Sequence, residues 1–181
     1  MPDLSRARRA PLLSTSPGVR PLPPAARSIL RGGPRVRHAA EGALQLAVPA
    51  AACRAAAQGD SAALWLGPDE WLLISGEHTA DETGAALRAA LAGLPHSLVD
   101  VSHRQVALEV SGPDAPRLLA AGCPLDLDAS AFPVGMCTRT MLAKAEIVLW
   151  RTGAKVFRIE VWRSFAPYVS AFLSEAARGV P

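Results

Sequence analysis

The sequence predicts an α+β fold made of two similar halves: a β-α-β-β-α unit with one extra strand and antiparallel sheets, given twice. Three observations predict it. Runs in which apolar and polar residues alternate, such as 105–111, stand beside runs whose apolar residues recur at helical spacing. Turn residues, chiefly Gly, Pro and Asp, separate these runs. A strand, a glycine turn and a helix-opening proline also occur twice, as Leu30-Arg-Gly-Gly-Pro34 and as Val110-Ser-Gly-Pro113. With 181 residues, half of them apolar and 19% charged, the chain has enough for one ordinary domain or two small ones.

Pro2, Pro11, Pro17, Pro21, Pro23 and Pro24 lack backbone donors and hold their predecessors extended. A proline/arginine-rich arm is therefore expected over 1–27, outside a folded domain at 28–181 whose halves run over about 28–102 and 103–178. The arm is expected to be mobile in the free chain and to lie along a partner in a complex. There Arg20 would supply a charge-assisted contact, and Leu12 and Leu13 would fill shallow pockets.

The first half opens with a strand at Ser28 to Arg31, Gly32-Gly33, and a helix from Pro34 to about Leu44. Strands at Ala62 to Leu66 and Trp71 to Ser75 flank the turn Gly67-Pro68-Asp69-Glu70. Thr79-Ala-Asp-Glu82 reads as a capping box for a helix with Leu87, Ala90, Leu91 and Leu94 on one face. Leu98 to Ser102 and Gln105 to Ser111 read as a strand pair. A short helix after Gly112-Pro113-Asp114 carries Leu118 and Leu119, and Gly122 can close it. Strands follow at Thr138 to Ala143, Ile147 to Arg151 and Val156 to Trp162. Ser164 is the expected cap of a last helix, whose apolar stripe is Phe165, Val169, Phe172, Leu173 and Ala176.

Charge is unevenly placed. Residues 1–40 hold eight Arg against one acid, Asp3, whereas the rest is mildly acidic. The basic segment has no aromatic residue on which a base could stack, so nucleic acid is not an expected partner. No apolar stretch approaches the roughly 20 residues a membrane span requires, and no secretory leader is visible. Cys53, Cys123 and Cys137 form no CxxC pair, which predicts reduced thiols in a cytoplasmic protein.

Asp100-Val-Ser102-His103 holds the residue types of a hydrolase triad. Adjacent Ser and His at a strand end point apart, however, so these residues are expected to end one strand and turn into the next. Gly32-Gly33 and Gly112 precede helices but lack phosphate-loop spacing. The four His show no ligand spacing with the cysteines. On residue chemistry alone no catalytic, cofactor-binding or metal site is expected. Trp65 and Trp162, each in or beside a strand, are expected to meet a partner.

Two sets of motifs go further. Leu64-Trp-Leu-Gly-Pro-Asp-Glu-Trp-Leu-Leu-Ile74 resembles the signature of the gamma subunit of heterotetrameric sarcosine oxidase. So does the series Val99-Asp-Val-Ser-His-Arg104, Ser111-Gly-Pro-Asp-Ala115, Cys123-Pro-Leu-Asp-Leu127, Phe132-Pro-Val-Gly135 and Arg163-Ser-Phe-Ala166. The resemblance covers roughly 28–177. It extends to the folate-binding domain of the aminomethyltransferase T-proteins, which carry an acidic pair at a hairpin where this chain has Ala145 and Glu146.

The resemblance implies the T-protein-like fold and a four-subunit oxidoreductase. That enzyme demethylates sarcosine with oxygen and tetrahydrofolate to glycine, hydrogen peroxide and formaldehyde or methylenetetrahydrofolate. By the same resemblance NAD, FAD, FMN, zinc and folate belong to the alpha, beta and delta subunits. The gamma chain holds no cofactor. The alternative is a free-standing folate-binding domain of the aminomethyltransferase type.

Overall fold

The computed structural model describes residues 16–179. Its strands in chain order are β1 (Val19–Pro21), β2 (Ala25–Gly32), β3 (Ala55–Gln58), β4 (Ser61–Gly67), β5 (Glu70–Gly76), β6 (His96–Asp100), β7 (Gln105–Ser111), β8 (Cys137–Leu142), β9 (Ala145–Gly153) and β10 (Val156–Trp162). The helices are α1 (Pro34–Leu44), α2 (Ala80–Ala90), α3 (Ala115–Ala120) and α4 (Ala166–Arg178). All strand pairs are antiparallel, as the fold class predicts. The chain divides into two compact units. One is Ala25–Ser102; the other joins the described residues up to Pro24 with those from His103 onward.

In the Ala25–Ser102 unit the strand order is β3-β4-β5-β2-β6. Leu30, Ala63, Trp71 and Leu73 meet Val36, Ala40, Leu87 and Leu91 of the helices in one core. Trp71 satisfies its indole N–H by donating to the Pro49 carbonyl at 2.7 Å. Gly32 is required where β2 turns into α1, because a Cβ there would stand 2.7 Å from the Val36 side chain. Pro34 occupies the first turn of α1, and Gln45 closes that helix in the left-handed region at φ 49°.

In the other unit the order is β1-β7-β10-β9-β8. Read from β8, it repeats the first arrangement: a three-strand meander, then the leading strand of the half, then one added strand. Leu108, Leu149, Phe157, Ile159 and Val161 pack on Leu119, Val169 and Leu173. Phe157, Ile159 and Val161 face this core, as the alternation predicts, while Glu160 on the opposite face is also buried.

Several expectations are corrected. The arm does not extend to residue 27. From Ser16 the chain is folded, and β1 pairs with β7 in the register Val19↔Val110, Arg20↔Glu109, Pro21↔Leu108, burying Val19. Proline is tolerated there because an edge strand needs backbone donors on one side only. Leu12 and Leu13 lie outside the described residues. Leu98 to Ser102 and Gln105 to Ser111 do not pair with each other: β6 joins β2, and β7 joins β10 and β1. Thr79 makes no cap, since its hydroxyl donates backward to the Gly76 carbonyl at 3.2 Å across a 3-10 turn at Glu77–Thr79. Ser164 is not the cap of α4 either. Phe165 takes that position after a turn closed by its N–H on the Trp162 carbonyl. The alanine-rich edge strand β3 has no β-branched residue to announce it.

Candidate functional site

The β6–β7 turn begins at Asp100. Its Oδ1 accepts from the Ser102 N–H at 2.8 Å and from the Ser102 hydroxyl at 2.5 Å. The Arg27 N–H donates to Ser102 Oγ at 2.9 Å, and the Val101 N–H to the Arg27 carbonyl at 2.8 Å. Ser102 is buried and joins the strand end to β2, whereas His103 is exposed. The hydroxyl is engaged by Asp100 and backbone, so this trio forms a turn rather than a nucleophile and its base.

The β8–β9 hairpin carries Ala145 and Glu146, where the sequence resemblance leads to the expectation of an acidic pair. Ala143 stands at its tip with φ 52°, and its N–H donates to the Gly122 carbonyl at 2.8 Å. Ala145 is fully buried in the core, while Glu146 is exposed and opposite Met141. A methyl in an apolar core cannot move a proton, and the lone exposed carboxylate beside it has no second acid at the hairpin to work with. Gly122 lets α3 approach the hairpin, because a Cβ there would lie 2.6 Å from the Phe172 ring and 3.0 Å from the Ala143 nitrogen.

The motifs Cys123-Pro-Leu-Asp-Leu127 and Phe132-Pro-Val-Gly135 form a loop held by one side chain that sequence reasoning missed. Arg151 is buried on β9 and donates through Nη1 to the carbonyls of Phe132 (2.8 Å) and Leu127 (3.2 Å), and through Nη2 to that of Ala154. Its guanidinium lies 5.0 Å from the centre of the Phe157 ring. Within the loop, Asp128 accepts from the hydroxyl and N–H of Ser130. The Ser130 hydroxyl, then its backbone N–H, hold the exposed Asp128 carboxyl below the ordinary aspartate range. An arginine paired with carbonyls in a strand gives no sequence signal beyond a charge in an apolar run.

Of the expected partner-facing residues, Arg20 is bound by its own sheet, with Nε and Nη2 donating to the two Glu109 oxygens at 2.9 and 3.0 Å. Trp65 is half-buried against its unit's core. Trp162 is different. It is 41% exposed beside Phe165, also 41% exposed, with ring centres 6.5 Å apart in an edge arrangement. The Arg104 guanidinium stands 5.2 Å over the Trp162 ring. Arg163 ties the two segments together, its N–H donating to the Arg104 carbonyl at 2.7 Å and its Nε to the His103 carbonyl at 3.2 Å.

The fold defines the class first: a duplicated antiparallel α+β domain. The chain shares this fold with the glycine cleavage system aminomethyltransferase T from Bartonella henselae, at a TM-score of 0.65 and 15% identity over 89% of this chain and 46% of that one. Within that class the chain belongs to the sarcosine oxidase, gamma subunit family, whose sequence pattern it matches over residues 31–179.

A sarcosine oxidase subunit gamma from Corynebacterium sp. (strain P-1) is 41% identical over 64% of this chain and 56% of that relative. The matched stretches span about half the length of the curated relatives. A chain of the heterotetrameric sarcosine oxidase from Corynebacterium sp. U-96, solved in complex with pyrrole 2-carboxylate, matches with a TM-score of 0.83. It is 32% identical over 89% of this chain and 83% of that one.

Proposed function

We propose that the chain is the non-catalytic gamma subunit of a heterotetrameric sarcosine oxidase. In this reading it assembles in the cytoplasm with alpha, beta and delta chains that carry NAD, FAD, FMN, zinc and folate. Those chains demethylate sarcosine with oxygen to glycine, hydrogen peroxide and a one-carbon product that leaves as formaldehyde or methylenetetrahydrofolate. The chain's own part is to stabilise the assembly. The observation that carries the reading is the β8–β9 hairpin, where Ala145 sits in the core and Glu146 in solvent. At that hairpin the resemblance leads one to expect a pair of acids. No helix among the described residues is long and apolar enough to cross a membrane.

The test is to tag the chain in its native host, purify it and identify what accompanies it. Larger flavin-bearing chains should co-elute, and the complex should release hydrogen peroxide from sarcosine. The separated chain should be colourless and inactive. Stoichiometric flavin in the single chain, or peroxide made by it alone, would overturn the reading. Tetrahydrofolate binding by the separated chain would favour a free-standing folate-binding domain instead.

A further inference from the structure

The unit that starts at His103 exposes three large aromatic residues in one short stretch. Trp162 ends β10, Phe165 precedes α4, and Tyr168, 39% exposed, follows within the first turn of that helix. Single exposed apolar residues need no explanation, but three exposed aromatic residues within 162–168, two of them in ring contact, do. Their frame is hydrogen-bonded: the Arg163 N–H and Nε hold the 162–165 segment to the carbonyls of Arg104 and His103, and the Phe165 N–H closes a turn on the Trp162 carbonyl at 2.8 Å.

The polar complement of this patch is one-sided. The Arg104 guanidinium stands 5.2 Å over the Trp162 ring on an exposed residue, with no carboxylate paired to it among the described residues. The carbonyls of His103 and Arg104 are already used by Arg163. What remains to be met is a set of donors with positive charge beside apolar rings.

We propose that Trp162, Phe165 and Tyr168, with Arg104 at their rim, form the seat of a partner-subunit segment that carries a carboxylate next to apolar side chains. The proposal rests on the assembly reading above and adds to it the surface and the chemistry of the occupant. Apolar side chains cover the rings, and the carboxylate pairs with the Arg104 guanidinium, which already lies in cation–π range of Trp162. Trp, Tyr and Arg are the residue types in which interface binding energy concentrates.

The complex purified through a tag on this chain tests it. The wild type is compared with Trp162→Ala, Phe165→Ala, Arg104→Glu and a control at another exposed apolar residue of the same unit, Val134→Ser. Each variant's melting temperature and near-ultraviolet dichroism report whether it folds. Arg104 is exposed, so its substitution keeps the test informative even if an aromatic variant unfolds. At about 0.3 M salt the patch variants should retain less than about a tenth of the co-eluting larger chains, and the control should retain them all.

Full retention by folded patch variants would overturn the proposal and leave the assembly reading intact. Loss with Trp162→Ala but not with Arg104→Glu would overturn the acidic character of the occupant. A free chain that dimerises, and ceases to do so in Trp162→Ala, would give the seat to a second copy and overturn it too. A wild-type chain that recruits no larger chain would overturn the assembly reading and this proposal together.

Discussion

Ser102 and His103 are neighbours in sequence, yet only Ser102 is buried and bonded across to another strand. Ser102→Ala removes the acceptor of the Arg27 N–H, and an orphaned buried donor costs about 1–3 kcal/mol. His103→Ala, at an exposed ring, should stay within about 0.5 kcal/mol of the wild type. Urea midpoints of the two variants check this, and equal midpoints would refute the structural role assigned to Ser102. Gly122 makes a similar distinction by shape. Gly122→Ala places a methyl 2.6 Å from the Phe172 ring, a strain of about 1–3 kcal/mol. Combining it with Phe172→Leu should recover part of the loss, because the obstructing atoms belong to a side chain. The residue 3.0 Å away at the Ala143 backbone cannot be removed in that way, so recovery should be incomplete.

At the scale of an element, the loop over 123–135 is tied by an arginine from β9 as well as by its own Asp128–Ser130 turn. Arg151→Met keeps the apolar stem over Phe157 but leaves the Phe132 and Leu127 carbonyls without their donor. We expect a loss of about 2–4 kcal/mol and faster amide exchange at Gly135 and Phe132, whose N–H groups are bonded to the Arg151 and Asp128 carbonyls. Unchanged exchange there would show that the loop holds itself. Asp128 makes the same loop sensitive to acid. Its folded carboxyl binds a proton less readily than an ordinary aspartate, so its contribution is complete above the ordinary aspartate value and is lost as pH falls through the lower, folded one. Asp128→Asn should therefore flatten the stability loss of the whole chain between about pH 5 and pH 3. A drop as steep as that of the wild type would remove Asp128 from the acid response.

Across the whole molecule, the sequence repeat and the sheets are out of step. β1 immediately precedes β2 in the chain but pairs with β7, and β6 immediately precedes β7 but pairs with β2. Each sheet thus takes its added strand from the segment that leads the opposite half of the sequence. Deleting residues 1–21 should consequently destabilise the sheet of β7 rather than merely trim an arm. Val19→Asp should act in the same direction, by setting an unpaired charge at a buried position. In the isolated wild-type chain the amides of Leu22 and Ser111, bonded to the Ala107 and Gly18 carbonyls, should exchange slowly. Fast exchange of both would mean that β1 docks only in an assembly.

Period, punctuation and glycine placement determined most of the elements, because these are local properties. Pro34 opens α1, alternation marks β7 and β10, and Gly67-Pro68-Asp69-Glu70 joins β4 to β5. The motifs also pointed to the family that residues 31–179 match. The tertiary structure alone decided which strands pair. A strand's pattern shows which of its faces is apolar, but not the edge it joins, so Leu98 to Ser102 and Gln105 to Ser111 looked like partners and are not. It alone decided that Pro21 could lie in a sheet, since an edge position is a property of the assembled sheet. The exposed grouping of Arg104 with Trp162 and Phe165 likewise depends on segments about sixty residues apart, brought together by pairing that no local propensity encodes.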